Sequence, residues 1–135
     1  VEGSNVSLGR EEFNTKNIYT YVGIIIDFYS TTYRIPIPPD SVKKFLILLV
    51  ILYNKGVTKY RDKRAVSYIM QSMRFNASSD INMYLAKLRD SDWITFDKKK
   101  KEFDIPEMFQ HLPLDKLEDG SIPSFTCKFN VVLDG

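Results

Sequence analysis

Ile18, Val22, Ile25, Ile26 and Tyr29 recur at helical spacing within residues 13–30, which predicts a helix. Tyr19, Tyr21, Ile24 and Phe28 load its flanks, leaving only Thr20, Gly23, Asp27 and Ser30 as a polar stripe. A helix apolar almost all round needs cover on several sides. We therefore expect an N-terminal helical unit over 13–34 that carries an oligomer interface through Tyr19, Ile24 and Phe28. A strand is the rival reading, because Ile, Val and Tyr favour strands; the length and the 18–22–25–29 spacing favour helix. Residues 1–12 mix Gly3, Ser4, Asn5, Ser7 and Gly9 with scattered aliphatics and are expected to form an extended arm.

Residues 35–39 (IPIPP) cannot continue a helix, because proline lacks the amide proton and restricts its predecessor. The next helix is expected over Val42–Lys55, capped by Asp40 or Ser41 and stopped by Gly56. Its Phe45, Leu46, Leu48, Leu49, Leu52 and Tyr53 are the most hydrophobic stretch of the chain. A helix from Asp62 or Lys63 to Met73 sets Ala65, Ile69, Met70 and Met73 on one face. After a turn with a serine N-cap, a helix over Asp80–Asp90 buries Ile81, Tyr84, Leu85 and Leu88. A strand over 93–97, a turn at 98–100 and a returning strand over 101–105 follow. Residues 106–123 hold three prolines and a glycine and read as an irregular connector. Phe125, Cys127, Phe129, Val131 and Leu133 alternate with mostly polar neighbours, which predicts a strand over 124–134. Its expected partner is the N-terminal arm of the same or a neighbouring chain.

Composition changes this picture little: 135 residues, 44% of them hydrophobic, suffice for one core and exclude a disordered chain. The longest apolar run, Phe45–Tyr53, is far short of the roughly 20 residues a membrane span needs, and no signal-peptide pattern opens the chain. One cysteine, Cys127, and one histidine, His111, offer neither a disulfide framework nor a zinc cluster. Both are read as structural or incidental. With no glycine-rich phosphate loop and no nucleophile–base set, the chain is read as a non-enzyme with no cofactor, metal or small-molecule substrate.

Charge is more informative once split by position. Residues 1–54 balance, with five basic and five acidic side chains. Residues 55–101 carry twelve basic against five acidic, or +7, and residues 102–135 two basic against seven acidic, or −5. Such asymmetry points to a polyanion or an acidic partner, although a lysine-rich solvated surface has the same signature. If the acidic block folds over the basic face, it masks that face until a partner removes it.

Three helices, a short turn between the second and third, and a hairpin with a basic tip resemble a winged helix-turn-helix domain. The resemblance covers residues 40–106 and is carried by Ser79–Ile94, a capping serine and a polar-studded helix with Tyr84-Leu85 and Leu88, then a turn into Trp93-Ile94. Asp92 stands where the pattern usually has glycine. The fold expected is α+β: a three-helix winged helix-turn-helix core with a two-stranded wing, plus an N-terminal helix and a C-terminal strand in the segment 107–135. The small size, the Ile/Lys/Asn/Tyr-rich composition and the stray terminal elements resemble phage or mobile-element proteins.

The resemblance implies a non-enzymatic protein that binds duplex DNA as a regulator, replication accessory or packaging factor. With Ile81, Leu85 and Leu88 buried, Asn82, Met83, Ala86, Lys87 and Arg89 face solvent as recognition-helix candidates. Asparagine pairs bidentately with adenine, and arginine or lysine meets guanine or phosphate. Lys98, Lys99, Lys100 and Lys101 at the hairpin tip are wing candidates. Lys59, Arg61, Lys63 and Arg64 are phosphate-contact candidates at the start of the preceding helix. Trp93 and Tyr84 are read as core. The second reading is an assembly protein, such as a virion component, that uses the winged helix as a protein-contact module and is a homo-oligomer. The expected location is cytoplasmic (host cytoplasm for a viral chain), or the virion in the second reading.

Overall fold

The computed structural model describes residues 2–114, with side chains described from Ile18 onward. The element order is α1 (Glu2–Tyr33), α2 (Asp40–Asn54), α3 (Lys63–Met73), α4 (Ser79–Asp90), β1 (Thr95–Asp97) and β2 (Glu102–Asp104), then a 3-10 turn at Glu107–Phe109. Among the described residues, four helices and a two-stranded antiparallel sheet make a mixed helix-and-strand architecture. The expected strand over 124–134 and its Cys127 lie outside the described residues.

Residues 2–12 are the first correction, because α1 runs through the stretch expected to be an extended arm. Extending an existing helix fixes one residue per hydrogen bond gained, so glycine and serine are tolerated where they could not nucleate a helix. At its other end Arg34 takes a left-handed φ of 56°. The Ile35 amide then donates to the Ser30 carbonyl at 3.0 Å. The buried Ser30 hydroxyl donates to the Ile35 carbonyl, closing the turn before the prolines.

α2 is the axis of the core, with every residue from Phe45 to Leu52 buried. Pro39, not Asp40 or Ser41, occupies its N-cap, and no side chain caps it. Asp40 is already in the first turn, where its carboxylate complements the helix dipole. At the other end Gly56, at φ 85°, donates to the Tyr53 carbonyl while Val57 donates to the Leu52 carbonyl. That paired 6→1 and 5→2 closure needs a left-handed residue, which glycine supplies without a Cβ clash.

α4 ends the same way without glycine. Asp92 stands at φ 66°, its amide on the Arg89 carbonyl, and the Trp93 amide reaches the Leu88 carbonyl at 2.9 Å. The Ser91 hydroxyl adds a bond to the Lys87 carbonyl. At its start the expected serine cap is absent: Ser78 already has helical dihedrals and makes no side-chain cap bond. The carbonyls of Ala77 and Ser78 accept from Asp80 and Ile81 instead.

The core is one cluster running from Ile18 to Leu114, so the proline segment separates helices but not cores. α1 buries Ile18, Tyr21, Val22, Ile25 and Ile26 and contacts α2 and the 3-10 turn. Part of the cover expected from a second chain therefore comes from within this one. Lys43 on α2 pairs with Asp27 on α1 at 2.8 Å. The proline segment is pinned by the Trp93 indole, which donates to the Pro36 carbonyl at 3.2 Å. Trp93 is fully buried and meets Tyr29 and Phe109.

β1 and β2 pair Thr95 with Asp104, Phe96 with Phe103 and Asp97 with Glu102. The sequence reading left out a third piece of this sheet. Thr58 accepts from the Phe103 amide at 2.9 Å and Tyr60 donates to the Lys101 carbonyl at 3.1 Å, so residues 58–60 run along the free edge of β2. No helix among the described residues is long and apolar enough to cross a membrane.

Candidate functional site

The pairing of residues 58–60 with β2 folds the start of α3 against the hairpin, and α4 closes the third side. A concavity of about 360 Å³ lies between them. Tyr60, Leu85, Ala86 and Phe96 form its apolar part, while Arg61, Arg89, Lys98 and Lys101 bring four cations to it, with Asn82 beside them. Tyr60 is buried and meets the half-buried Phe96 edge-on, ring centroids 5.8 Å apart at 74°. The Arg89 guanidinium sits 5.0 Å from the centre of the same ring, a cation–π distance. Its Nε also donates to the Asp90 carboxylate at 3.1 Å.

The helical phase of α4 explains this arrangement. Ile81, Leu85 and Leu88 are buried, which turns Asn82, Ala86 and Arg89 toward the hairpin on one flank. Met83 and Lys87 fall on the other flank, outside the concavity. Met83 is 48% exposed, and the Lys87 ammonium lies 5.2 Å from the Tyr84 ring. Tyr84 itself packs between Phe45 and Phe75.

The four hairpin lysines are divided as well. The Asp97 carboxylate accepts from the amides of Lys99 and Lys100 at 2.8 and 3.1 Å, and those bonds, that of Lys100 foremost, hold its carboxyl below the usual range. Lys101 closes the turn at φ 56°. Lys98 and Lys101 then face the concavity. Lys100 lies on the opposite side of the hairpin, in a depression shared with Asp97, Glu102 and Asp104. Lys99 is exposed at the turn.

Of the four phosphate-contact candidates, only Arg61 joins the site. Arg64 is held by Asp62: the Arg64 amide donates to the carboxylate at 2.8 Å, and Nε and Nη2 complete a fork at 3.2 and 3.1 Å. Those bonds to Arg64 hold the Asp62 carboxyl down at about 2 and make Asp62 the N-cap of α3. Lys59 and Lys63 are exposed and do not line the concavity.

Tyr19, Ile24 and Phe28, the interface candidates, lie far along the chain from this face. Ile24 is 41% exposed, whereas Tyr19 hydrogen-bonds the Tyr68 phenol within the chain; burial and that neighbour push Tyr68 upward. His111 is exposed, and no group of three or more potential metal ligands occurs among the described residues.

The sequence reading missed Tyr60 and Phe96 as parts of the site. The available signal was the β-prone Val57-Thr58-Lys59-Tyr60 directly after the Gly56 helix stop. Comparison with known protein families, with curated proteins and with solved structures finds no match to this chain.

Proposed function

We propose that this chain is a non-enzymatic winged-helix protein that binds duplex DNA, with α4 as the recognition element and the β1–β2 hairpin as the wing. The succession of helix, edge segment, two helices and hairpin fits that fold. The observation that carries the function is the convergence of Arg61, Arg89, Lys98 and Lys101 on one concave face beside Asn82. These four cations come from three separate parts of the chain, which a merely solubilising lysine turn does not explain. Cations on one face supply the phosphate contacts, and Asn82 supplies an amide for a base edge.

The test is fluorescence anisotropy with a mixed-sequence duplex across a salt series. Each phosphate contact contributes about 0.9 to the slope of log affinity against log salt. Lys98→Ala/Lys101→Ala should therefore lower the slope by about 2, and Lys99→Ala/Lys100→Ala by clearly less. Equal losses from the two pairs would place the contact at the tip of the hairpin. Absence of binding at low salt would favour the second reading, an assembly protein. Ile24, Tyr33 and Ile37 support that alternative, being 41%, 57% and 51% exposed.

A further inference from the structure

We infer that the concavity between α4 and the hairpin seats one unpaired nucleotide of the bound DNA, its base against Phe96 and Arg89 and its flanking phosphates on Arg61, Lys98 and Lys101. The inference rests on the DNA-binding reading and narrows it to DNA with a single-stranded element.

A duplex backbone held by the cationic rim leaves the floor of this surface unused. Charged phosphates brought across that apolar floor lose hydration and gain nothing from Tyr60, Leu85 or Phe96. A base carries a flat apolar body that removes those side chains from water, while its own phosphates stay at the cationic rim. The volume of about 360 Å³ falls among sites that hold small organic groups. The Arg89 guanidinium lies over the Phe96 ring, which Tyr60 meets edge-on, so the platform for a base is this stacked pair of ring and guanidinium. Both kinds of surface stack unpaired bases regardless of base identity. Asn82 adds an NH2 group with two donors and a carbonyl acceptor at the edge of the site, enough to hydrogen-bond an exposed base edge.

The outer row of α4 argues in the same direction. Ser79, Met83 and Asp90 stand farthest from the buried face by their i, i+4, i+11 spacing, and they carry a carboxylate and a thioether but no cation. With Asp90 on that row, α4 as recognition element meets the DNA through its Asn82 and Arg89 flank. Arg61, Arg89, Lys98 and Lys101 instead flank the concavity, and Lys87 is the one α4 cation outside it.

The experiment compares a blunt duplex with the same duplex carrying a short thymine tail, by anisotropy at fixed salt. A stacked base should raise affinity for the tailed duplex by about fivefold to about 150-fold. That ratio should fall toward one in Phe96→Leu and in Arg89→Lys. The lysine keeps the charge and loses the planar platform, and its exposed position keeps the test valid if Phe96→Leu weakens the hairpin. 2-Aminopurine placed as the first unpaired base should be quenched by wild type and less so by both variants. Equal affinity for blunt and tailed duplexes would overturn the inference while leaving DNA binding intact. A preference that survives in both variants would overturn the site. No binding to either DNA would remove the DNA-binding reading and this inference together. Saturable binding of free thymidine monophosphate with no preference for the tail would overturn the assignment to a strand.

Discussion

Asn54 is the polar clamp that holds the segment after the hairpin onto α2, and replacing it should loosen that segment first. Its Nδ2 donates to the carbonyls of Val50 and Phe109 at 2.8 and 2.9 Å, and its Oδ1 accepts from the Leu112 amide at 2.7 Å. Val50 belongs to the ladder of α2, so its carbonyl keeps a partner when Asn54 is lost. The Phe109 carbonyl and the Leu112 amide have no such substitute among the described residues. Two part-buried hydrogen bonds at roughly 0.5–1.5 kcal/mol each give about 1–3 kcal/mol for Asn54→Ala. For a chain of this size that is roughly 3–5 °C of melting temperature per kcal/mol, or about 6–10 °C at the middle of the range. Urea unfolding should show a lower midpoint with an unchanged m-value. Amide exchange should speed up at Leu112, and the fluorescence of Trp93 should report loosening of Phe109, whose ring centre is 6.3 Å away. Asn54→Asp separates the two halves of the clamp. It keeps the acceptor for Leu112 but sets a carboxylate oxygen against two carbonyls, which raises that carboxyl's pKa in the folded state. Its stability should then approach wild type in acid and be lost as the pH rises through the folded pKa. A change below about 0.5 kcal/mol in Asn54→Ala, with Leu112 exchange unaltered, would refute the clamp.

Two further outcomes test local geometry. Asp92→Gly should raise the urea midpoint, by roughly 0.5 kcal/mol of stability, since release from the left-handed strain outweighs the added freedom of the unfolded chain; a loss of stability would show that the Asp92 side chain is needed. Asp62, held at about 2 against an ordinary 3.8, contributes stability that is present above the ordinary value and lost as pH falls through about 4 toward 2. Thermal melts across that window should show wild type converging on Asp62→Asn as the pH drops, and a constant gap would disprove the carboxylate's role at the start of α3.

Much of the helical core was legible because the side chains that bury are the ones that repeat. Ala65 and Ile69 on α3, and Ile81, Leu85 and Leu88 on α4, fall at helical spacing, the step from Leu85 to Leu88 being one that a strand does not satisfy, and all are buried. The hairpin was legible from Asp97 and the lysines around a turn. The extended arm was misjudged because glycine and serine were weighed as isolated residues, whereas helix propagation from Ile18 back toward Glu2 lowers their cost. The serine cap failed for a related reason. Caps depend on the backbone angle of one residue, and Ser78 is already helical. Asp92 departs from the glycine usual in this pattern, yet Asp takes the same left-handed angle, since its short polar side chain tolerates that region better than most.

The candidate site was legible as a list of residues but not as a surface. Eight lysines and arginines proposed from the hairpin and the start of α3 look equivalent in sequence. What sorts them is the edge pairing of residues 58–60 with β2, a contact between segments some forty residues apart that no local pattern encodes. That pairing brings Arg61 to the hairpin, and the turn set by Asp97 sends Lys98 and Lys101 to the same side and Lys100 to the other. The cation that meets them, Arg89, is placed by the phase that buries Leu85 and Leu88. Backbone hydrogen bonds thus select which charges act together, and the aromatic pair beneath them, Tyr60 and Phe96, is assembled by the same pairing. A cationic rim built this way comes with an apolar floor, and the floor is the feature on which the proposed seating of an unpaired base, beyond attachment to a phosphate backbone, rests.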